Sequence, residues 1–181
     1  MEENSVFEAT LEESIQQFDT KLDQDVAQLL KGGGHTICVA ESVTGGLLGA
    51  RLTSVPGSSE YFVGGVIGYH PRVKVTLCQV TPSTLQQYGA VSQEVALEMA
   101  RGVQKLLKSD ICVSTTGFAG PAASQRPIEV TGTVYIGVVL PHVEYVKRFQ
   151  FKGERPFVRY QATQSAMVLV RQYLQNMKEA D

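Results

Sequence analysis

The sequence is poor in cysteine and in net charge, and it has no hydrophobic run long enough to cross a membrane. Its three cysteines are odd in number, far apart and without a C-x-x-C pair, which excludes a disulfide framework and gives no zinc site. Each lies in or beside an apolar run, so we expect all three to be small core side chains. A membrane helix needs roughly 20 apolar residues, and the acidic N-terminus is unlike a signal peptide. We therefore expect a cytoplasmic protein without membrane partners.

Charge excludes a second class of protein. Sixteen basic and eighteen acidic residues among 181 give a net charge of -2, whereas a dedicated nucleic-acid-binding domain carries a basic stripe and a pI above about 9. No cluster of histidines and carboxylates calls for a metal, so we expect neither a metal nor another cofactor. The apolar content of 43% predicts one globular domain.

Hydrophobic periodicity predicts the order of the elements. An amphipathic helix begins at residue 11 after a Thr10/Glu13 capping box and ends at the glycines 32–34. Five strands follow, interleaved with helices, and the last two form an antiparallel hairpin at Pro141-His142. Predicted strands are 36–40, 61–69, 110–116, 131–140 and 144–151; predicted helices are 47–52, 71–78, 82–88, 92–106 and 156–176. The pattern predicts a three-layer α/β/α domain with a mixed, roughly five-stranded sheet over residues 11–181, after a flexible N-terminus of residues 1–10.

Three polar or glycine-rich loops (41–46, 69–74 and 115–121) follow apolar strands. In an open α/β sheet such loops meet at the carboxyl ends of the strands, where ligands bind. Their backbone N–H groups, together with a helix N-terminus, favour an anion. The first loop lacks the Walker, G-x-G-x-x-G and G-x-S-x-G patterns, so no single motif indicates a ligand. The prediction of a ligand site depends instead on the convergence of the three loops.

Ser42 occupies the sharp turn between the first strand and its helix, as the nucleophile does in a nucleophile elbow. Spacing alone favours the other interpretation, in which Ser42 or Thr44 caps that helix. A nucleophilic serine needs a base, and His35, His70 and His142 are poorly placed or lack an acidic partner. Lys74, one turn beyond Pro71, is the better candidate if burial lowers its pKa, with Tyr69 as a possible relay. The alternative is a solvated surface lysine.

The chain resembles the C-terminal domain of the CinA family (competence/damage-inducible protein) from about residue 22 to residue 174. Seven ordered sequence pieces carry the resemblance. They are Ala40-Glu41-Ser42-Val43-Thr44-Gly45-Gly46, Val55-Pro56-Gly57-Ser58-Ser59, Gly64-Gly65-Val66-Ile67-Gly68-Tyr69 with Lys74, Tyr88-Gly89-Ala90-Val91-Ser92, Thr116-Gly117-Phe118-Ala119-Gly120-Pro121, Gly132-Thr133-Val134 and Phe151-Lys152-Gly153-Glu154-Arg155. The family's usual N-terminal molybdopterin-binding-like domain is not expected here.

Stand-alone members of that family are nicotinamide-nucleotide amidohydrolases. The resemblance therefore implies hydrolysis of nicotinamide mononucleotide to nicotinic acid mononucleotide and ammonia, with a small-molecule nucleotide as partner. It implies Ser42 as nucleophile, Lys74 as base and Tyr69 as proton relay. The residues it implies at the substrate are Glu41, Thr44, Gly45, Gly46, Thr116, Gly117, Ala119, Gly120 and Arg155, the last as a phosphate contact. Glu41 either orients the lysine or satisfies the turn, and Arg155 is otherwise a surface residue at a helix start.

Two segments depart from the family pattern. Tyr69-His70-Pro71 replaces the usual Tyr-Ser-Asn, and residues 122–131 lack the glycine pair that usually follows Gly120-Pro121. Fewer glycines restrict how closely the backbone can approach a phosphate or ribose. A non-catalytic pyridine-nucleotide-binding or regulatory module is therefore the alternative function, and an interaction module in DNA uptake or repair a third. Self-association through the first helix is a further expectation.

Overall fold

A computed structural model describes residues 20–120 and 131–180 of the chain. Within these residues the strands are β1 (Ile37–Glu41), β2 (Phe62–Ile67), β3 (Ile111–Gly117), β4 (Thr133–Val139) and β5 (Glu144–Gln150). The helices are α1 (Thr20–Gly33), α2 (Leu47–Leu52), α3 (Pro71–Thr76), α4 (Pro82–Tyr88), α5 (Gln93–Leu107) and α6 (Arg155–Ala180). Each predicted strand and helix is present to within a few residues. The predicted flexible N-terminus and helix start, 1–19, lie outside the described residues.

The strands form one mixed sheet in the order β2-β1-β3-β4-β5. β1 runs parallel to both β2 and β3, and β4 pairs antiparallel with β3 and with β5. Both central parallel strands are buried along nearly their whole length, which explains why each begins with an apolar run, residues 37–40 in β1 and 111–113 in β3. The sheet thus confirms the predicted architecture, including the hairpin.

Helices cover both faces of the sheet. α5 packs on one face, whereas α6 packs on the other together with α1 and α2. Side chains of β1 alternate between the two cores, with Ile37 and Val39 in one and Cys38 and Ala40 in the other, as the period of two requires. Cys38, Cys78 and Cys112 are free thiols and fully buried, as predicted. No helix among the described residues is long and apolar enough to span a bilayer.

A buried ion pair joins the helices on the α6 face. Asp23 of α1 accepts a hydrogen bond from Arg51 Nε of α2 at 2.9 Å, and both side chains are at most 4% exposed. Arg51 also donates to Gln164 of α6. Because α2 follows directly on the turn that carries Ser42, this pair fixes the helix behind that turn.

Candidate active site

A cleft of about 380 Å³ opens at the carboxyl ends of the parallel strands. The three predicted loops do converge there. The cleft is lined by Ser42 and Val43 after β1, by Tyr69, Pro71 and Lys74 around the start of α3, by Ala90 and Val91, by residues 116–120 and by Arg155. Pro121 and the departing segment up to residue 130 lie outside the described residues. Eight of the twelve predicted site residues therefore border one cleft.

Lys74 and Ser42 are in direct contact. Lys74 Nζ lies 2.7 Å from Ser42 Oγ and also donates to the carbonyl of Gly68. The lysine lies in the last turn of the short helix α3 and is 1% exposed. His70 caps this helix, since its Nδ1 accepts a hydrogen bond from the N–H of Arg72 at 3.1 Å. Lys74 is thus not the solvated surface lysine of the alternative interpretation.

Burial changes the acidity of this amine. Desolvation lowers the pKa of Lys74 to about 8 and outweighs the opposing electrostatic effect of the neighbouring Cys78, because an ammonium ion loses more hydration than a neutral amine. The same burial raises the pKa of Cys78 to about 11, which keeps it a neutral thiol. With a pKa of about 8, roughly a tenth of Lys74 is an uncharged amine at pH 7. An uncharged amine can accept a proton from Ser42.

Glu41 satisfies the turn. Its buried carboxylate accepts hydrogen bonds from the N–H groups of Gly46, Leu48 and Gly49 at 2.8, 3.2 and 2.8 Å. The N-terminus of α2, which the sequence suggested as an anion site, is therefore occupied by the chain's own carboxylate. Neither Ser42 nor Thr44 caps α2, whose N-cap is Gly46 without a side-chain cap. This removes the cap interpretation of Ser42.

Thr44, Gly45 and Gly46 support the turn from behind and do not line the cleft. The Thr44 hydroxyl is buried and donates to Glu41 at 2.6 Å, beside the Thr115 hydroxyl at 2.7 Å. Gly45 and Gly46 have φ values of +60° and +101°, in the left-handed region that favours glycine. These residues shape the loop that presents Ser42.

Tyr69 and Arg155 meet across the mouth of the cleft. Arg155 Nη2 donates to the Tyr69 hydroxyl at 2.6 Å, and both side chains are exposed. Because Lys74 reaches Ser42 without an intermediary, a relay through Tyr69 is not needed for that proton transfer. Arg155 is the first residue of α6 and borders the cleft, so its guanidinium is available to an anion there.

Three features of the site were missed by sequence reasoning. The Gly68 carbonyl holds Lys74. Ala90 and Val91 form a wall of the cleft, and the Ala90 carbonyl accepts from Thr116 Oγ1 at 2.7 Å. Arg159 donates to the Thr44 carbonyl at 2.8 Å. The sequence held two signals for these residues. Ala90 and Val91 lie in one of the seven sequence pieces that carry the family resemblance, and Arg159 follows Arg155 by one helical turn.

Sheet order and cleft together define an α/β domain with a buried serine–lysine pair at its strand ends. The family model described as the CinA C-terminal domain matches residues 19–174. The chain therefore belongs to the CinA family, as its resemblance implied.

Relatives and solved structures agree with this assignment. A CinA-like protein of Thermosynechococcus vestitus is 51% identical over 154 residues, covering 82% of this chain and 36% of the relative. A putative competence-damage inducible protein of Desulforamulus reducens is 42% identical over 158 residues, covering 87% and 38%. The crystal structure of a CinA superfamily protein from Klebsiella pneumoniae has a TM-score of 0.81 at 30% identity, covering 87% of this chain and 98% of that one. The chain spans between 36% and 38% of the length of these two curated relatives.

Proposed function

We propose that the protein is a metal-independent amidase that hydrolyses nicotinamide mononucleotide to nicotinic acid mononucleotide and ammonia. The observation that carries the proposal is the 2.7 Å contact between Lys74 Nζ and Ser42 Oγ, with an amine whose pKa is lowered to about 8 by burial. A neutral amine at this distance is within reach of the serine proton, the geometric condition for a general base. The nucleotide as substrate rests on the family resemblance.

Acylation begins when Ser42 Oγ attacks the carboxamide carbon. Its proton passes to the neutral Lys74 amine as the carbon–oxygen bond forms. The tetrahedral intermediate then collapses, the carbon–nitrogen bond breaks, and the Lys74 ammonium returns the proton to the departing nitrogen, which leaves as ammonia. Water next attacks the acyl-serine with Lys74 again as base, which releases the acid and restores Ser42.

The negative oxygen of the intermediate needs hydrogen-bond donors. In a nucleophile elbow the N–H of the residue after the nucleophile supplies one, and here that residue, Val43, borders the cleft. The Ser42 N–H is already bonded to the Thr115 carbonyl at 2.8 Å, whereas no bond among the described residues takes the N–H of Val43. We assign that N–H to the oxyanion.

Arg155 is assigned to the phosphate. A guanidinium matches two phosphate oxygens at once, and Arg155 lines the same cleft as Ser42 and Lys74, with its Nη2 bonded to the Tyr69 hydroxyl. A cleft of about 380 Å³ is within the range of small-ligand sites, about 300–1,000 Å³. The described residues contain no group of three or more histidine, cysteine, aspartate or glutamate side chains able to hold a metal.

Ammonia release from purified protein tests the proposal. Nicotinamide mononucleotide, free nicotinamide and the dinucleotide are compared with and without a chelator, with Ser42→Ala as the blank. We expect release from the mononucleotide, unchanged by chelation, and none from the Ser42→Ala protein. Thermal stabilisation by the nucleotide without any ammonia would instead identify a non-catalytic binding module.

A further inference from the structure

A side chain of helix α6 is bonded to the turn that carries Ser42. Arg159, on the second turn of that helix, donates from Nη2 to the main-chain carbonyl of Thr44 at 2.8 Å. Thr44 lies two residues after Ser42 and is completely buried. The Arg159 guanidinium is therefore hydrogen-bonded to the backbone of the turn that carries Ser42.

Other hydrogen bonds of this turn are made with residues of strands β1 and β3. The Ser42 N–H donates to the Thr115 carbonyl. The Glu41 carboxylate accepts hydrogen bonds from the Thr44 hydroxyl and from N–H groups at the start of α2. Among the residues that the structure describes, the Thr44 carbonyl has one further donor, the N–H of Leu47, at a long 3.4 Å. A hydrogen bond from a charged donor at 2.8 Å is the stronger of the two, so Arg159 is the principal restraint on this peptide group.

Gly45 gives independent support. A Cβ at this position would lie 3.1 Å from Arg159 Nη2, and the residue has a φ of +60°. Any larger residue would therefore press on the guanidinium and strain the backbone. The absence of a side chain at Gly45 thus leaves room for the Arg159 guanidinium beside the turn.

Arg159 and Arg155 share one helix. Four residues in an α-helix separate them by about 6 Å along the axis, on neighbouring positions of one face. Arg155 borders the cleft, whereas Arg159 does not and bonds the turn instead. One rigid element thus joins the mouth of the cleft to the backbone beside Ser42.

We propose that Arg159 is a positioning residue that fixes the Ser42 turn through the Thr44 carbonyl and sets it at a constant distance from Arg155. The proposal rests on the proposed amidase function for its kinetic consequences. Catalysis is sensitive to small displacements of a nucleophile, since a shift of about 1 Å can cost on the order of a hundredfold in rate. Losing the Arg159 bond should therefore slow chemistry and leave nucleotide binding almost unchanged.

The same substitution at the two arginines separates positioning from binding. Arg159→Met should lower kcat about 10- to 100-fold with KM within about threefold, whereas Arg155→Met should chiefly raise KM. Arg159→Lys should recover part of kcat because it keeps a charged donor. Arg171→Met, on the same helix and bonded to Asp25 at 3.5 Å, is the control. A rise in KM at unchanged kcat, or no change at all, in Arg159→Met would overturn the proposal, as would loss of the folded state in Arg159→Lys.

A fluorophosphonate probe tests the positioning without any nucleotide. Ser42 Oγ attacks phosphorus, the phosphorus–fluorine bond breaks, fluoride leaves, and the serine proton passes to Lys74. Arg159→Met should label at least tenfold more slowly than wild type and Arg171→Met at the wild-type rate. Equal labelling rates in wild type and Arg159→Met overturn the proposal. If the wild-type protein is labelled at Ser42 but releases no ammonia, the proposed nucleotide amidase activity is refuted. The labelling rates then still test the role of Arg159.

Discussion

The Lys74 amine and the Ser42 hydroxyl meet at 2.7 Å although they follow different strands, β2 and β1. These strands are parallel neighbours, so their carboxyl ends lie side by side. A sharp turn after β1 presents the serine, and a helix that begins four residues after β2 turns the lysine back over the same edge. The pairing therefore follows from topology, and the low exposure of the amine follows from the core beneath it.

The pH dependence of catalysis should report the Lys74 amine. Because burial lowers its pKa to about 8 and only the neutral amine is a base, kcat/KM should rise about tenfold per pH unit below that pKa and level off above it. Initial rates of ammonia release between pH 6 and 9.5 measure the profile. A flat profile across that range would remove Lys74 as the base.

Replacing the lysine should stabilise the fold while abolishing activity. A pKa lowered from 10.5 to about 8 means that burying the ammonium at pH 7 costs about 3 kcal/mol. Lys74→Met removes this cost but leaves the Gly68 carbonyl without its donor, so we expect a net gain of about 1 kcal/mol. Thermal unfolding at pH 7 measures it, with Lys105→Met, an exposed lysine of α5, as control. A lower Tm for Lys74→Met would show that the ammonium is not destabilised by its burial.

Stability should also vary with pH because of Lys74. The folded state releases the Lys74 proton near pH 8 and the unfolded state near pH 10.5. Between these values the unfolded state binds more protons, so the free energy of unfolding should rise with pH through that window relative to the Lys74→Met protein. Urea unfolding of both proteins at pH 7.5 and 9.5 measures how the free energy of unfolding changes with pH in each. The two changes should be equal if Lys74 does not titrate in this window.

The Glu41 carboxylate should be essential to the turn. Glu41→Gln replaces one accepting oxygen by an NH₂ group that faces N–H donors, so at least one bond is lost and a repulsion is added. We expect destabilisation of about 2–3 kcal/mol, together with reduced labelling of Ser42. Chemical denaturation checks the stability, and Glu94→Gln, in the first turn of α5, is the matched substitution. A Glu41→Gln protein as stable as Glu94→Gln would contradict the assigned role.

The buried pair Asp23–Arg51 offers a test of the scaffold behind the turn. Removing one partner of a buried pair costs about 3–5 kcal/mol, because the other charge stays buried. Arg51→Met should therefore destabilise strongly, and Asp23→Leu combined with Arg51→Met should recover much of the loss. The exposed pair Arg101–Glu144 is the comparison, where single substitutions should cost no more than about 1 kcal/mol. Equal costs at the two pairs would contradict this account of α2.

Periodicity and glycine positions were enough to predict the layers, the hairpin and the convergence of three loops. They also placed Lys74 beside Ser42, since both follow strands at one edge. They could not decide the role of Glu41, because its partners are main-chain N–H groups that exist only once α2 has formed. Arg159 escaped because its partner lies 115 residues away in the chain, and its contact depends on how α6 is rotated against the sheet.

The most direct test of the account compares single-turnover ammonia release from nicotinamide mononucleotide by the wild-type, Ser42→Ala and Lys74→Met proteins, with Ser59→Ala and Lys105→Met as controls. The account predicts release by the wild type and both controls, and a loss of at least a thousandfold in Ser42→Ala and Lys74→Met, each still folded. Release at the wild-type rate by either of these two proteins would contradict a lysine-activated serine as the catalytic centre.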